Sequence, residues 1–290
     1  MKRKRSGFTL MELVVVVAIL AALAGLVISK IDWIRRQANM AIGAETSADV
    51  AQNIQMYLAA TEQLPSGLDS LLAGGTGFYG GPNGATNGGI IGQTDGVGNI
   101  PTSAQPGTIN GKGVNSLFRM GMLFVNDMST TATNASDAGT ISRALGTYSS
   151  SGTTLDSGNY TLLTGPTTTT GSVNQIWNAI FPPNVWAGAT VTGNAITVDT
   201  SGTTAQVVLL GVGPGNSMIG NTMVSPPQYP GPDSDVYYYR YIACFIVYSN
   251  GNRAQLGTVV DPYGRVIDSS IQQYSTSGPD GLPPGSRTPE

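Results

Sequence analysis

Apolar and polar positions follow three rhythms along this chain. From Leu13 to Ile28 there is no charge and no strong polar group, so the run is apolar on every face. From Ile31 the apolar positions fall at Ile31, Ile34, Ala38, Ala41/Ile42, Ala48, Ala51, Ile54 and Leu58. Steps of three and four predict one helical stripe. Asp32, Arg35, Arg36, Glu45, Asp49 and Glu62 lie between them, and Pro65 is the expected stop. One helix from Phe8 to about Gln63 would be about 84 Å long at 1.5 Å per residue. Its first half, 8–29, needs lipid or other helices around it. Its second half, 30–64, is amphipathic and needs a sheet against one face.

The remaining chain, 65–290, reads as a globular body with the third rhythm, short β-like runs. Leu64–Leu72 predicts a turn and a short second helix. Segments 73–113 and 130–158 are rich in Gly, Ser and Thr and read as loops, 73–113 in part disordered. Val114–Met128 returns to helix-like spacing. Asn159–Gly165 predicts a strand, Ser172–Phe181 a short helix, and Ala195–Gly213 a hairpin around "TSGTT". The clearest sheet signal lies in 236–268, where Val236–Ser249 and Arg253–Asp261 flank a tight "NGN" turn. Its tyrosines, Tyr237, Tyr238, Tyr239, Tyr241 and Tyr248, occupy both strand faces, which fits core and cross-strand packing. "GVGPG" at Gly211–Gly215 is a turn rather than a nucleotide loop, since the third glycine falls one place early and no amphipathic helix follows. No internal repeat is evident. The pattern as a whole predicts an α+β fold, one long N-terminal helix packed on a C-terminal antiparallel sheet with a loop-rich insertion.

Composition removes most chemistry. The 290 residues include no histidine, so the commonest general base and metal ligand are missing. The single cysteine, Cys244, sits in the apolar run "YIACFIVY" and reads as a buried inert thiol. No acid pair has credible catalytic spacing, and the expectation is no enzyme activity. Charge is sparse and uneven. Lys2, Arg3, Lys4 and Arg5 crowd the start, and Lys30, Arg35 and Arg36 lie beyond the apolar run. Without the first seven residues, ten basic and seventeen acidic side chains remain, a balance that repels nucleic acid.

A basic head before an apolar run directs the chain to a membrane, and three readings of it differ in what they make of Glu12. A secretory signal would end at the "ALA" of Ala22–Ala24. A plain anchor would use Phe8–Ile28, about 31 Å of helix against a bilayer core of ~30 Å, with the basic head cytoplasmic. Neither has a use for a carboxylate at the mouth of the run. The stretch "KRKRSGFTLMELVVVVAILAALAGLVISKI" resembles the class III leader and first helix of type IV pilins and type II secretion pseudopilins. The matching residues are the short basic leader, Gly7, then Phe8-Thr9-Leu10, and Glu12 fifth after the glycine. The resemblance implies a leader, 1–7, cut by a prepilin peptidase between Gly7 and Phe8, with N-methylation of Phe8. An intramembrane carboxylate needs a partner, and the new amine supplies one a helical turn away, on the same chain or on a neighbouring subunit. Family members often carry a proline where this chain has Ser29.

The resemblance implies a structural subunit of a pilus or pseudopilus filament. It would sit in the inner membrane as a single pass before assembly and in a periplasmic or extracellular filament after it. The implied partners are further copies of the chain, other minor pilins, the prepilin peptidase, an inner-membrane assembly platform with its ATPase, and the lipid bilayer. A minor pilin, a tip adhesin or a binding module on the same helix is the alternative. At the other end, "DPYGRVID" and "YSTSGPDGLPPG" resemble the close of major pseudopilins, where a Ser-x-Gly-x-Asp-Gly loop binds calcium. Asp280 and Ser277 match its positions, and calcium is the one cofactor implied. The family's further acidic residues are replaced here by Pro283-Pro284-Gly285. Calcium wants six to eight oxygens, so a Gly/Pro turn sealing the sheet edge stands beside the metal reading.

Overall fold

The computed structural model describes residues 10–73, 77–78, 104–109, 111–128, 140–149, 152–155, 159–163, 165, 171–181, 190–229, 240–249 and 254–261; for part of these, chiefly in the first half of the N-terminal helix, it describes the backbone alone. Gly7, Phe8, Ser277, Asp280, Tyr237–Tyr239 and the 250–253 turn lie outside the described residues. The chain divides into two units, Met1–Ala41 and Ile42–Glu290.

Helix α1 runs from Leu10 to Thr61, 52 residues without a break at Gly25 or Ser29. It ends on Glu62, whose φ of 57° places it in the left-handed conformation of a helix C′ residue, three residues before Pro65. The expected stripe does not coincide with the side that meets the sheet. Within the second unit, Ile42 and Ala48 are exposed, while Gly43, Ser47, Val50, Ile54 and Tyr57 are buried. Only Ile54, with Ala51 and Leu58 half-buried, belongs to both sets. The body takes small residues where the helix first meets it, so apolarity alone misplaces the docking face.

The body of the second unit is built on a large mixed sheet. Its strands are β1 (Leu68–Ala73), β2 (Gly77–Phe78), β3 (Ala104–Thr108), β4 (Phe124–Met128), β5 (Thr140–Ala144), β8 (Asn159–Leu163), β9 (Val191–Thr192), β10 (Ala195–Thr197), β11 (Thr204–Gly211), β12 (Ile242–Tyr248) and β13 (Ala254–Val260). β6 (Gly146–Ser149) and β7 (Gly152–Leu155) form a separate ribbon. The main path is β13-β12-β11-β1-β4-β5, and the other edge of β11 is shared among β10, β8 and β1. The expected hairpins β10–β11 and β12–β13 are present and antiparallel. Strands β2, β3 and β5–β7 run through the described parts of segments 73–113 and 130–158, expected to be loop-rich.

The sheet differs from an all-antiparallel one because β1 and β4 run parallel, Leu68 opposite Val125. Helix α2 (Gly111–Arg119) lies in the connection between them, and a crossover of that kind returns the chain in the same direction. Val114–Met128, with its helix-like spacing, therefore divides into the end of α2 and β4. The break is Gly121, which at φ 89° adopts a conformation closed to most side chains. Leu64–Leu72, expected to be a turn and helix, holds β1 instead. Leu71, at φ 64°, interrupts the strand's alternation where its register with β4 shifts. Leu68 and Leu71 face opposite sides of the sheet, as strand residues three apart do, and both sides are buried, so the apolar spacing imitates that of a helix.

Both faces of the sheet are buried. On one, Val208, Leu210, Ala243, Phe245 and Val247 pack with Val50, Ile54 and Tyr57 of α1 and Val114 and Leu117 of α2. On the other, Val207, Leu209, Ile242, Cys244 and Ile246 pack with Ile176 and Trp177 of helix α3 (Gly171–Ile180). Two-sided burial is why β11 and β12 read as unbroken apolar runs. Tyr241 and Tyr248 fall on the two different faces, as their positions implied.

Candidate assembly site at the N-terminal motif

Glu12 lies in the first turn of α1, the only acidic residue there. The open N–H groups of a helix start favour a negative charge at that position. Around it the apolar side chains stand in the open. Leu10 is 81% exposed and Leu23 still 53%, with Met11, Leu13, Val14, Val15, Val16, Val17, Ile19 and Leu20 also exposed. Apolar residues exposed on every side of a helix need a non-aqueous surround, whether lipid or other helices. Among the described residues, no helix is long and apolar enough to cross a membrane. Gly7 and Phe8 precede the described residues.

A model of the prokaryotic N-terminal methylation motif matches residues 2–28. The chain carries the methylation motif of a class III prepilin leader. The motif is one that type IV pilin precursors carry. It is typical of type IV pilins and pseudopilins, a family of structural subunits and not of enzymes. Members are processed by a prepilin peptidase and assembled with other pilins into filaments. The match covers Glu12 and the whole apolar run but none of the body. Comparisons with curated proteins and with solved structures found no significant match.

The body itself offers little chemistry. Among the described residues no group of three or more His, Cys, Asp or Glu is placed to hold a metal ion. Cys244 is fully buried, and loss of hydration pushes its thiol up to about 12, far from a nucleophile's range. The one cluster that the sequence did not announce is built from four strands. Asp127 of β4 accepts from Ser70 Oγ of β1 and from Arg143 of β5, at 2.8 Å from Nε and 3.3 Å from an Nη. The Arg143 guanidinium also lies 4.8 Å over the Tyr160 ring of β8, and Thr161 donates to the Ser70 carbonyl at 2.8 Å. Its members are separated by 16 to 91 residues in sequence, so no local pattern foretells it. Every contact in it joins one strand to another, and its role is to hold the sheet.

Proposed function

We propose that this chain is a structural subunit of a type IV pilus or a type II secretion pseudopilus. It is inserted through Phe8–Ile28, cut between Gly7 and Phe8, methylated on Phe8 and assembled through α1. The observation that carries the reading is the methylation motif over residues 2–28, with Glu12 in the first turn of a helix apolar on all sides. Methylation leaves the new amine cationic, and Glu12 lies four residues from it, one helical turn. Paired across two subunits, the charges set the axial offset between neighbours. Inside lipid the pairing is strongly selected, because an unpaired carboxylate there costs about 2.5–3.5 kcal/mol on insertion scales. The body carries no reaction; force comes from an ATPase and platform supplied by other chains.

Mass spectrometry of the mature N-terminus tests this. The expected result is a chain beginning at methylated Phe8. A chain beginning at Gly25 replaces the reading with ordinary secretion, and an intact leader in assembled material overturns it.

A further inference from the structure

The side of α1 that meets the sheet changes character along its length. Val50, Ile54 and Tyr57 enter the core with Phe245, Leu210 and Met122, and the Asn53 carbonyl accepts the Thr222 hydroxyl at 3.3 Å. One and two turns earlier, the buried positions are Ser47 and Gly43. Gly43 has no side chain to bury. Ser47 offers a single hydroxyl, which donates to the Val259 carbonyl near the end of β13 at 3.1 Å. Ile42, Glu45, Ala48 and Asp49 are exposed, and Ala44 and Thr46 are half-buried. Thr46 lies beside the buried phenol of Tyr241, but its own hydroxyl is given to the Ile42 carbonyl at 2.7 Å, and the Tyr241 oxygen makes no well-formed hydrogen bond.

We propose that Ile42–Asp49 is a releasable segment of α1, lifting from the end of β13 while Val50–Tyr57 stays docked. Apolar attraction grows with the area buried, and Gly43 and Ser47 supply almost none. Among the described residues, the well-formed hydrogen bond that ties the segment to the sheet is that of Ser47, which water largely replaces when it breaks. The polar groups at this contact are the Ser47 hydroxyl, the Val259 carbonyl and the Tyr241 phenol oxygen, each of which water can solvate. Val50 is the stop, because beyond it release would open the core. The segment is eight residues, about 12 Å of helix at 1.5 Å per residue. Its use as slack under axial tension rests on the filament reading; the release itself belongs to the single chain.

Hydrogen exchange on the unassembled full-length chain in detergent micelles tests the release apart from filament formation. Segments that open independently of the core exchange faster than it does. Amides of 42–49 are expected to exchange at least tenfold faster than those of 51–58. Ser47→Ala should speed the first group a further five- to tenfold and leave the second unchanged, with Cys244 still unreactive to thiol reagents as the mark of an intact core. Equal rates in the two groups, equal acceleration of both, or no effect of Ser47→Ala on 42–49 would each overturn the proposal.

Discussion

Asp127 is 5% exposed at its side chain and Arg143 17%, so their pair is shielded from solvent but not sealed. Removing one partner leaves the other charge half-buried and deprived of its strongest interaction. Asp127→Asn should therefore lower the unfolding free energy by about 1–3 kcal/mol, less than the 3–5 of a fully buried pair. Joined with Arg143→Met it should cost less than the two single changes added, and denaturant titration of the four chains in a double-mutant cycle reads the difference. Strict additivity would mean that the pair is not coupled. Asp199 titrates differently. Its carboxylate is held below its ordinary value first by the Thr203 side chain and then by the Thr203 N–H, with a smaller contribution from the Ser201 N–H, a slight loss of hydration opposing them. A depressed folded-state value means that the turn's contribution to stability is present above the unfolded value and is lost as pH falls through the folded one. Carboxyl NMR should place the Asp199 midpoint below that of a free aspartate, and a midpoint at or above it would deny the turn its hold. Glu12 was conspicuous in the sequence because its oddity is local, an acid opening an apolar run. Asp127 was not, since its meaning depends on which strands the sheet brings to its sides.

At the scale of elements, local pattern served where one period held throughout. The β12–β13 hairpin, the strand at Asn159 and α3 were readable because each segment keeps its rhythm and ends at turn residues. β1 was not, because the sheet buries both of its faces, so Leu68, Leu71 and Leu72 all lie inside at a spacing that suits a helix equally well. The docking face of α1 was hidden for a related reason. Size of residue and closeness of approach chose it, so Gly43 and Ser47 lie inside while Ile42 is 50% exposed. α3 was foreseen as an element but not as the cover of a second face. Its Trp177 is fully buried, stacks on Phe181 at 5.9 Å between ring centroids, and packs into the cluster around Cys244 and Ile246. Trp177→Ala should cost about 3–5 kcal/mol in unfolding free energy. It should also open Cys244 to a thiol reagent in the native state, which wild-type burial and the thiol's raised pKa prevent. A variant that loses stability while Cys244 stays closed would show that α3 covers some other part of the sheet.

At the scale of the whole chain, the two units pose two solvation problems that have separate solutions. Among the described residues, the body buries apolar surface on both sides of a sheet. The first half of α1 cannot, and an apolar surface of that extent is stable only among lipids or other helices. A run that only dissolved in lipid would gain nothing from Glu12 and would lose by it. On the proposed filament reading the carboxylate meets a cation made by cleavage, and the events would follow in order: insertion, cutting after Gly7, then pairing with the amine of Phe8. Glu12→Ala removes the acid but leaves the leader and the glycine, so cleavage and methylation should proceed as in wild type. If the proposed pairing fixes the offset between neighbours, assembly should fall sharply. Glu12→Gln separates charge from shape, keeping the size and a hydrogen-bonding group while abolishing the ion pair; it should assemble no better than Glu12→Ala if charge is what matters. Quantifying sheared filaments against membrane-held mature subunit, with the N-terminus of each checked by mass spectrometry, reads both steps. Full assembly of Glu12→Ala would remove the ion pair from the mechanism, and accumulation of uncut precursor would move the role of Glu12 from assembly to processing.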